Sequence, residues 1–148
     1  MLLQFVLALF ATAGFSLLFN IPRRHIAMAS VVGGAGWVIY QYVLTLDNSV
    51  VAACFLASCG VALLSDIFCR FFKEAATVFI IPGILPLVPG AGMYYTMRAL
   101  LDSDLTKAAQ TGTQTLLMAG SIAIGLLVMS SIVRTIVVIK RTLLKQPR

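Results

Sequence analysis

Five apolar runs separated by very short polar stretches dominate this chain, and they restrict it more than any other feature. The runs cover residues 2–19, 26–46, 50–68, 75–101 and 113–139. Each is long enough to cross a hydrocarbon layer about 30 Å thick, which takes about 20 apolar residues in a helix. Between them the chain offers little that water could hold. Only 11% of the 148 residues are charged, against about 25% in a soluble domain. The exterior is therefore expected to face lipid, and the fold to be an all-α, polytopic transmembrane bundle of about five spans forming a single membrane domain, 1–148. The first run has no basic residue before it and no small-residue cleavage pattern after it, so it reads as a retained helix rather than a signal peptide.

The net charge of +6 follows the same logic. The bases sit at the ends of apolar runs, where they orient helices and meet anionic head groups, so nucleic acid is not an expected partner. With five spans, all eleven Lys and Arg except Arg98 and Lys107 fall on one side. They occupy the Arg23-Arg24 loop, the Arg70–Lys73 loop and the end of the chain, including Lys140, Arg141, Lys145 and Arg148. The rule that short basic loops stay in the cytoplasm then places the N-terminus outside and the C-terminus in the cytoplasm of a plasma-membrane protein. Reading 75–101 as a re-entrant loop would leave four spans and put the basic tail opposite the Arg23 loop, which the charge distribution disfavours.

Small residues recur at helix-packing spacing: Ala29/Gly33, Ser30/Gly34, Ala53/Ala57, Ser58/Ala62 and Ser121/Gly125. Such pairs let membrane helices approach closely. Trp37, Tyr40 and Tyr42 suit an interfacial belt, and Gln41 and Gln114 suit interhelical hydrogen bonding. Cys54, Cys59 and Cys69 form neither a metal pattern nor a disulfide framework and read as packing residues.

The fourth run differs from the rest. Its centre is Ile80-Ile81-Pro82-Gly83-Ile84-Leu85-Pro86-Leu87-Val88-Pro89-Gly90-Ala91-Gly92. Each proline removes an N–H and clashes with the carbonyl four residues back, so the span is expected to break across 82–92. Lipid cannot satisfy the freed backbone groups, which must be buried in protein or face a wet cavity. Two half-helices meeting at mid-depth present a positive N-terminal end and a negative C-terminal end to a solute between them. Carbonyls near Val78, Pro82 and Leu85 are candidate acceptors for an ammonium, and N–H groups after Gly90 candidate donors to a carboxylate. The candidate pathway residues are Pro82, Gly83, Pro86, Pro89, Gly90, Gly92, Tyr94 and Tyr95. The competing reading is a packed kink that only shapes a helix.

This stretch also resembles a known family. Val78 to Gly90 as written, followed by Tyr94 and Tyr95, is similar to the signature of the threonine/serine exporters, in particular the short, small-subunit type. Phe19-Asn20-Ile21-Pro22-Arg23-Arg24 resembles the same group. The resemblance implies export of small hydroxy amino acids, with small carboxylates as the alternative cargo. It implies a transporter with roughly twice as many spans as this chain, in one polypeptide or split in two. This chain resembles the C-terminal half, so a larger membrane subunit of the same family is the implied partner, with a homo-oligomer as the alternative.

Three further points bear on function. Asp66 is an acid inside an apolar run, where a carboxylate is costly unless paired; Arg70, one turn on, is its candidate ion-pair partner, and proton coupling the sharper role. Arg98 can snorkel to the interface or attract a substrate carboxylate. His25, in the basic loop, is expected to be exposed, and residues 102–112 to form a polar connector with Thr111, Thr113 and Thr115 capping the last helix. One histidine and few acids give no metal cluster and no activated nucleophile, so no enzyme activity and no cofactor are expected. ATP hydrolysis is not expected either, because no phosphate-cradling glycine-lysine loop is present. A secondary transporter subunit driven by an ion or proton gradient is the expected function, and a non-catalytic membrane scaffold its rival.

Overall fold

A computed structural model describes residues 2–144. Six α-helices follow one another: α1 (Leu2–Leu18), α2 (Arg23–Asp47), α3 (Val50–Phe72), α4 (Thr77–Ile84), α5 (Gly90–Leu101) and α6 (Leu105–Leu144), with a 3-10 turn (Leu85–Leu87) between α4 and α5. No strand occurs among the described residues. Of the basic tail, Lys145 and Arg148 lie outside the described residues.

The helices α2, α3 and α6 are each long and apolar enough to cross a membrane; residues 77–87 and α5 pass the same test only as a pair, bent by 51°, which is the geometry of a broken span or of a re-entrant loop. The 17 residues of α1 reach about 26 Å at 1.5 Å per residue, slightly less than the hydrocarbon layer. Lipid-facing surface is plentiful: Phe10, Leu116 and Leu127 are among many large apolar side chains left exposed. Water would not tolerate so much contiguous apolar surface on a monomer.

Each helix end has a local cause. Asn20 adopts φ 55° and Ile21 N–H reaches back to Ser16 O (3.0 Å), closing α1. Pro22, with φ −53°, then starts α2 at Arg23, so Arg23, Arg24 and His25 form a helical first turn rather than the loop expected of them. Ser49 caps α3 by accepting from Ala52 N–H, and Lys73 ends it at φ 55°. Asp104 caps α6 by accepting from Lys107 N–H (3.0 Å). The last helix therefore begins eight residues earlier than its apolar run, and most of the polar connector is helical. Thr111 and Thr115 sit inside α6, where their hydroxyls donate to the carbonyls of Lys107 and Thr111. An acid N-cap outcompetes threonines a turn or two downstream because it bonds the orphan N–H groups directly.

Packing follows the small residues. The core joins Ala29 and Val32 of α2, Cys54, Ala57 and Val61 of α3, Phe79 of α4, Leu87 of the 3-10 turn and Ile122 of α6. Every residue of the five small-residue pairs is buried. A further stripe, Ala8, Thr12 and Ser16 on α1, packs toward α2, where the Thr12 side chain lies against Gly33. The Thr12 and Ser16 hydroxyls bond carbonyls of their own helix at 2.8 Å, so they enter the interface with their donors satisfied. The central helix is α2, which touches α1, α3, α4 and the 3-10 turn. The last helix, α6, touches α3 and α5.

Candidate functional site

The break in the fourth span lies beside the middle of α2. Pro86 lines a cavity with Trp37, and a Cβ built on Gly36 would stand 3.7 Å from Leu87. Gly36 and Trp37 lie just past the middle of α2 (Arg23–Asp47). Trp37 thus forms a wall of the cavity beside the break.

Before the break the chain is enclosed. Phe79, Pro82 and Gly83 are buried, and α4 packs on α1, α2 and α3. A Cβ on Gly83 would meet Val32 Cγ1 at 2.8 Å and Val61 Cγ1 at 3.3 Å, so glycine is what lets α4 settle between α2 and α3. Beside Pro86 lies a cavity of about 310 Å³ lined by Gln4, Leu7, Ala8, Ala11 and Trp37. Its walls are apolar apart from the Gln4 amide and the Trp37 indole. A small polar solute would find few hydrogen-bonding partners there.

Beyond the break, α5 leaves the bundle. It packs on α6 alone among the described elements. Thr96 Oγ1 lies 3.1 Å from Thr111 Oγ1, and Gly92 lies against the Thr115 side chain. Those α6 residues are ten to fourteen positions from Gly125, where α6 meets α3 through Ser58 and Cys59. Along a straight helix that is about 15–21 Å. Within α5 only Ala99 is buried; Met93, Tyr94, Tyr95 and Met97 are exposed.

The backbone donors and acceptors divide at the same place. Leu85 O accepts from Val88 N–H (3.2 Å), so it is not the free acceptor expected of it; the tight 3-10 turn consumes it. Val88 O accepts from Gly90 N–H (2.8 Å). At the start of α5 no side chain caps the helix. The N–H groups of Ala91 and Gly92 have no acceptor among the described residues, so the positive end of α5 faces the break.

A second cavity, about 290 Å³, lies between α5 and the start of α6. Tyr95, Arg98, Ala99, Asp102, Asp104 and Lys107 line it. Arg98 Nε approaches Asp102 Oδ2 at 3.9 Å, with both side chains about two-thirds exposed. Two cations and two carboxylates around one small space match a zwitterion better than an ion of either sign.

The candidate residues therefore fall into two groups. Pro82, Gly83 and Pro86 sit among α1, α2 and α3; Gly90, Gly92, Tyr94, Tyr95 and Arg98 sit on the α5–α6 hairpin, with Pro89 between them. Asp66 and Arg70 are not paired: Asp66 is buried with Oδ2 lacking a hydrogen-bond partner, and Arg70 is exposed. On the expected ion pair the structure disagrees: Asp66 is enclosed by the bundle, while Arg70, one turn nearer the end of α3, is exposed.

One polar cluster is absent from the sequence-based set. His25 is buried at 2% exposure, correcting the expectation of an exposed loop residue. Its Nε2 lies 3.2 Å from Glu74 Oε1, which Arg24 also contacts. The available signal was an acid, Glu74, in one basic turn, with a histidine in another turn on the same predicted side. Among the described residues no group of three or more His, Cys, Asp or Glu side chains is placed to hold a metal ion.

Comparison with known proteins adds the following. The family model described as Threonine/Serine exporter, ThrE, matches residues 4–132. An uncharacterized protein of Haemophilus influenzae is 24% identical over 102 residues, which cover 69% of this chain and 34% of that protein. The chain thus spans about a third of the length of the curated relative it matches. No solved structure matches.

Proposed function

The chain belongs to the threonine/serine exporter family, ThrE, and on that footing we propose that it supplies one half of a secondary transporter that exports threonine or serine together with a larger membrane subunit. The observation that carries this reading is the asymmetry of the broken span. The half-helix α4 is enclosed by this chain, while α5, with its unpaired N–H groups and the charged cavity beside it, rests on α6 alone. A pathway built this way has one wall present and one wall missing. The missing wall is what a larger subunit would supply.

In this reading the solute ammonium meets carboxylates and the solute carboxylate meets Arg98 or the start of α5. The uncapped N-terminus of a half-helix is a suitable place for an anionic group. Rocking of α4 against α5 about the 85–89 break would expose the cavity beside Pro86 and the α5–α6 cavity in turn. Asp66, buried with one carboxylate oxygen unpaired, is the candidate for coupling that motion to a proton. The N-terminus lies outside and the C-terminus in the cytoplasm, from the concentration of Lys and Arg on one side.

The test is threonine export from cells lacking their own exporters and loaded with a threonine dipeptide. Export that requires both this chain and a larger family member supports the split transporter. Export by this chain alone indicates a homo-oligomer. Threonine retained under both conditions removes the amino-acid assignment, and the same assay with a small dicarboxylate then separates another cargo from a scaffold.

A further inference from the structure

His25 is the single histidine of the chain, and its surroundings are unusual for a packing residue. The ring meets Phe72 edge-on at 5.4 Å and Phe79 at 5.8 Å. One nitrogen, Nε2, faces Glu74 Oε1. The other, Nδ1, is buried with no hydrogen-bond partner among the described residues. An apolar ring of the same shape would pack on Phe72 and Phe79 without that cost. What an imidazole adds is exchange of a proton near neutral pH.

We infer that His25 and Glu74 form a proton-binding site that clasps the half-helix α4 to α2 and tightens when His25 takes up a proton. With Nε2–H donating to Glu74, the bare lone pair on Nδ1 is where the proton adds. The imidazolium then makes a charge-assisted hydrogen bond to the carboxylate, stronger than that of the neutral ring. Losing the proton weakens the clasp, so its grip is present at low pH and declines as pH rises.

The clasp acts on α4 from two directions. Glu74 lies in the turn just before Thr77, and Phe79, inside α4, packs against the imidazole three residues ahead of Pro82. Proton occupancy at the basic end of the bundle therefore sets how firmly the first half of the broken span is held. The charged groups around the site are few. Arg24 shares the Glu74 carboxylate and Arg23 precedes it; α3 adds Asp66, Cys69 and Arg70 over its last turns and Lys73 at its cap. Neither α1 nor α4 carries a titratable side chain. Only the transport consequence of the clasp depends on α4 and α5 forming a solute pathway; the proton site itself does not.

The experiment uses the full chain in phosphatidylethanolamine–phosphatidylglycerol vesicles, with Cys54, Cys59 and Cys69 replaced by alanine. Ala29, fully buried in the core with Phe79, is changed to cysteine as a reporter of α4 release. Its maleimide labelling rate is divided by the rate of the denatured chain at the same pH, which removes the intrinsic thiol dependence. As pH is raised and the imidazole gives up its proton, the corrected rate should rise about tenfold, the effect of weakening one charge-assisted hydrogen bond. In His25→Gln and Glu74→Gln the rate should be high and flat; in Arg24→Gln the pH dependence should persist. A flat profile in the unaltered clasp, or pH dependence surviving His25→Gln, overturns the proposal.

Should His25→Gln fail to fold, ¹⁵N-histidine spectra of the unaltered chain decide the matter, because one imidazole gives one pair of signals. The neutral ring should be the Nε2–H tautomer and should gain a proton on Nδ1 as pH falls. The opposite tautomer, or a ring that never takes up a proton, overturns the site. Retained threonine with a responsive clasp removes the pathway reading alone. Intact export with a flat clasp removes the proton site alone.

Discussion

The two halves of the broken span make a controlled comparison inside one molecule. Both are short apolar helices from one run of sequence, separated by a three-residue turn and two linking residues. The first, α4, is surrounded by α1, α2 and α3, with Phe79, Pro82 and Gly83 buried. The second, α5, touches α6 alone and keeps Tyr94, Tyr95, Met93 and Met97 on its surface. The difference teaches that hydrophobicity places a segment in the membrane without saying what it will face there. Lipid, another helix of the chain and a partner subunit are equally apolar to a sequence count.

The comparison can be broken most directly at Phe79. Phe79→Ala should lower stability by about 3 kcal/mol, the lower end of the usual range because lipid replaces water as the reference environment. Leu101→Ala on the exposed face of α5 should change it by no more than about 0.5 kcal/mol. Thermal unfolding in detergent compares the two; equal losses would mean that α5 is as enclosed as α4.

Next in size is the glycine pair. Gly83→Val should cost about 1–3 kcal/mol, since its Cβ would press on Val32 and Val61. Gly90→Val meets nothing within 4 Å and should be tolerated within about 0.5 kcal/mol. Co-expression with a larger family member sharpens this: if α5 faces that subunit, Gly90→Val should abolish export while leaving this chain stable.

Asp66→Asn keeps the shape of a buried side chain that has one unpaired oxygen, so stability should move by less than about 1 kcal/mol. Export driven by a proton gradient should nevertheless cease. Undiminished gradient-driven uptake in proteoliposomes would return Asp66 to a packing role. The smallest expected effect on stability is at Arg98. Its pair with Asp102 is long and exposed, and Arg98→Gln should cost under about 0.5 kcal/mol. If Arg98 meets the solute carboxylate, the same change should raise KM severalfold with kcat little altered.

Much of the architecture was legible before the structure. The apolar runs, the small-residue pairs and the proline-glycine block each act through local chemistry: helix length against bilayer thickness, close approach at glycine and alanine, and loss of backbone donors at proline. One correction concerns a side chain whose partner lies far along the chain, and two concern local choices among nearby polar residues. Arg23, Arg24 and His25 looked like loop because they are polar. They form the first turn of α2, in which His25 alone is buried, against Glu74 49 residues away, while Arg23 and Arg24 stay exposed. Asp66 and Arg70 have the helical spacing of an ion pair, yet Arg70, in the last turn of α3, is exposed while Asp66 is buried. The threonines of 111–115 looked like caps because Asp104 was counted as connector.

By itself, then, the sequence determined that this protein lives in a membrane, how many apolar segments it has, which one breaks and which family it resembles. Those properties depend on composition and on neighbours within a few residues. Only the tertiary structure decided that the break lies beside the middle of α2, that its two halves enter unlike environments, and that the one histidine is buried against a carboxylate. Those properties depend on which faces of distant helices meet, and in a chain this uniformly apolar the pattern of polar and apolar residues carries too little contrast to choose among faces.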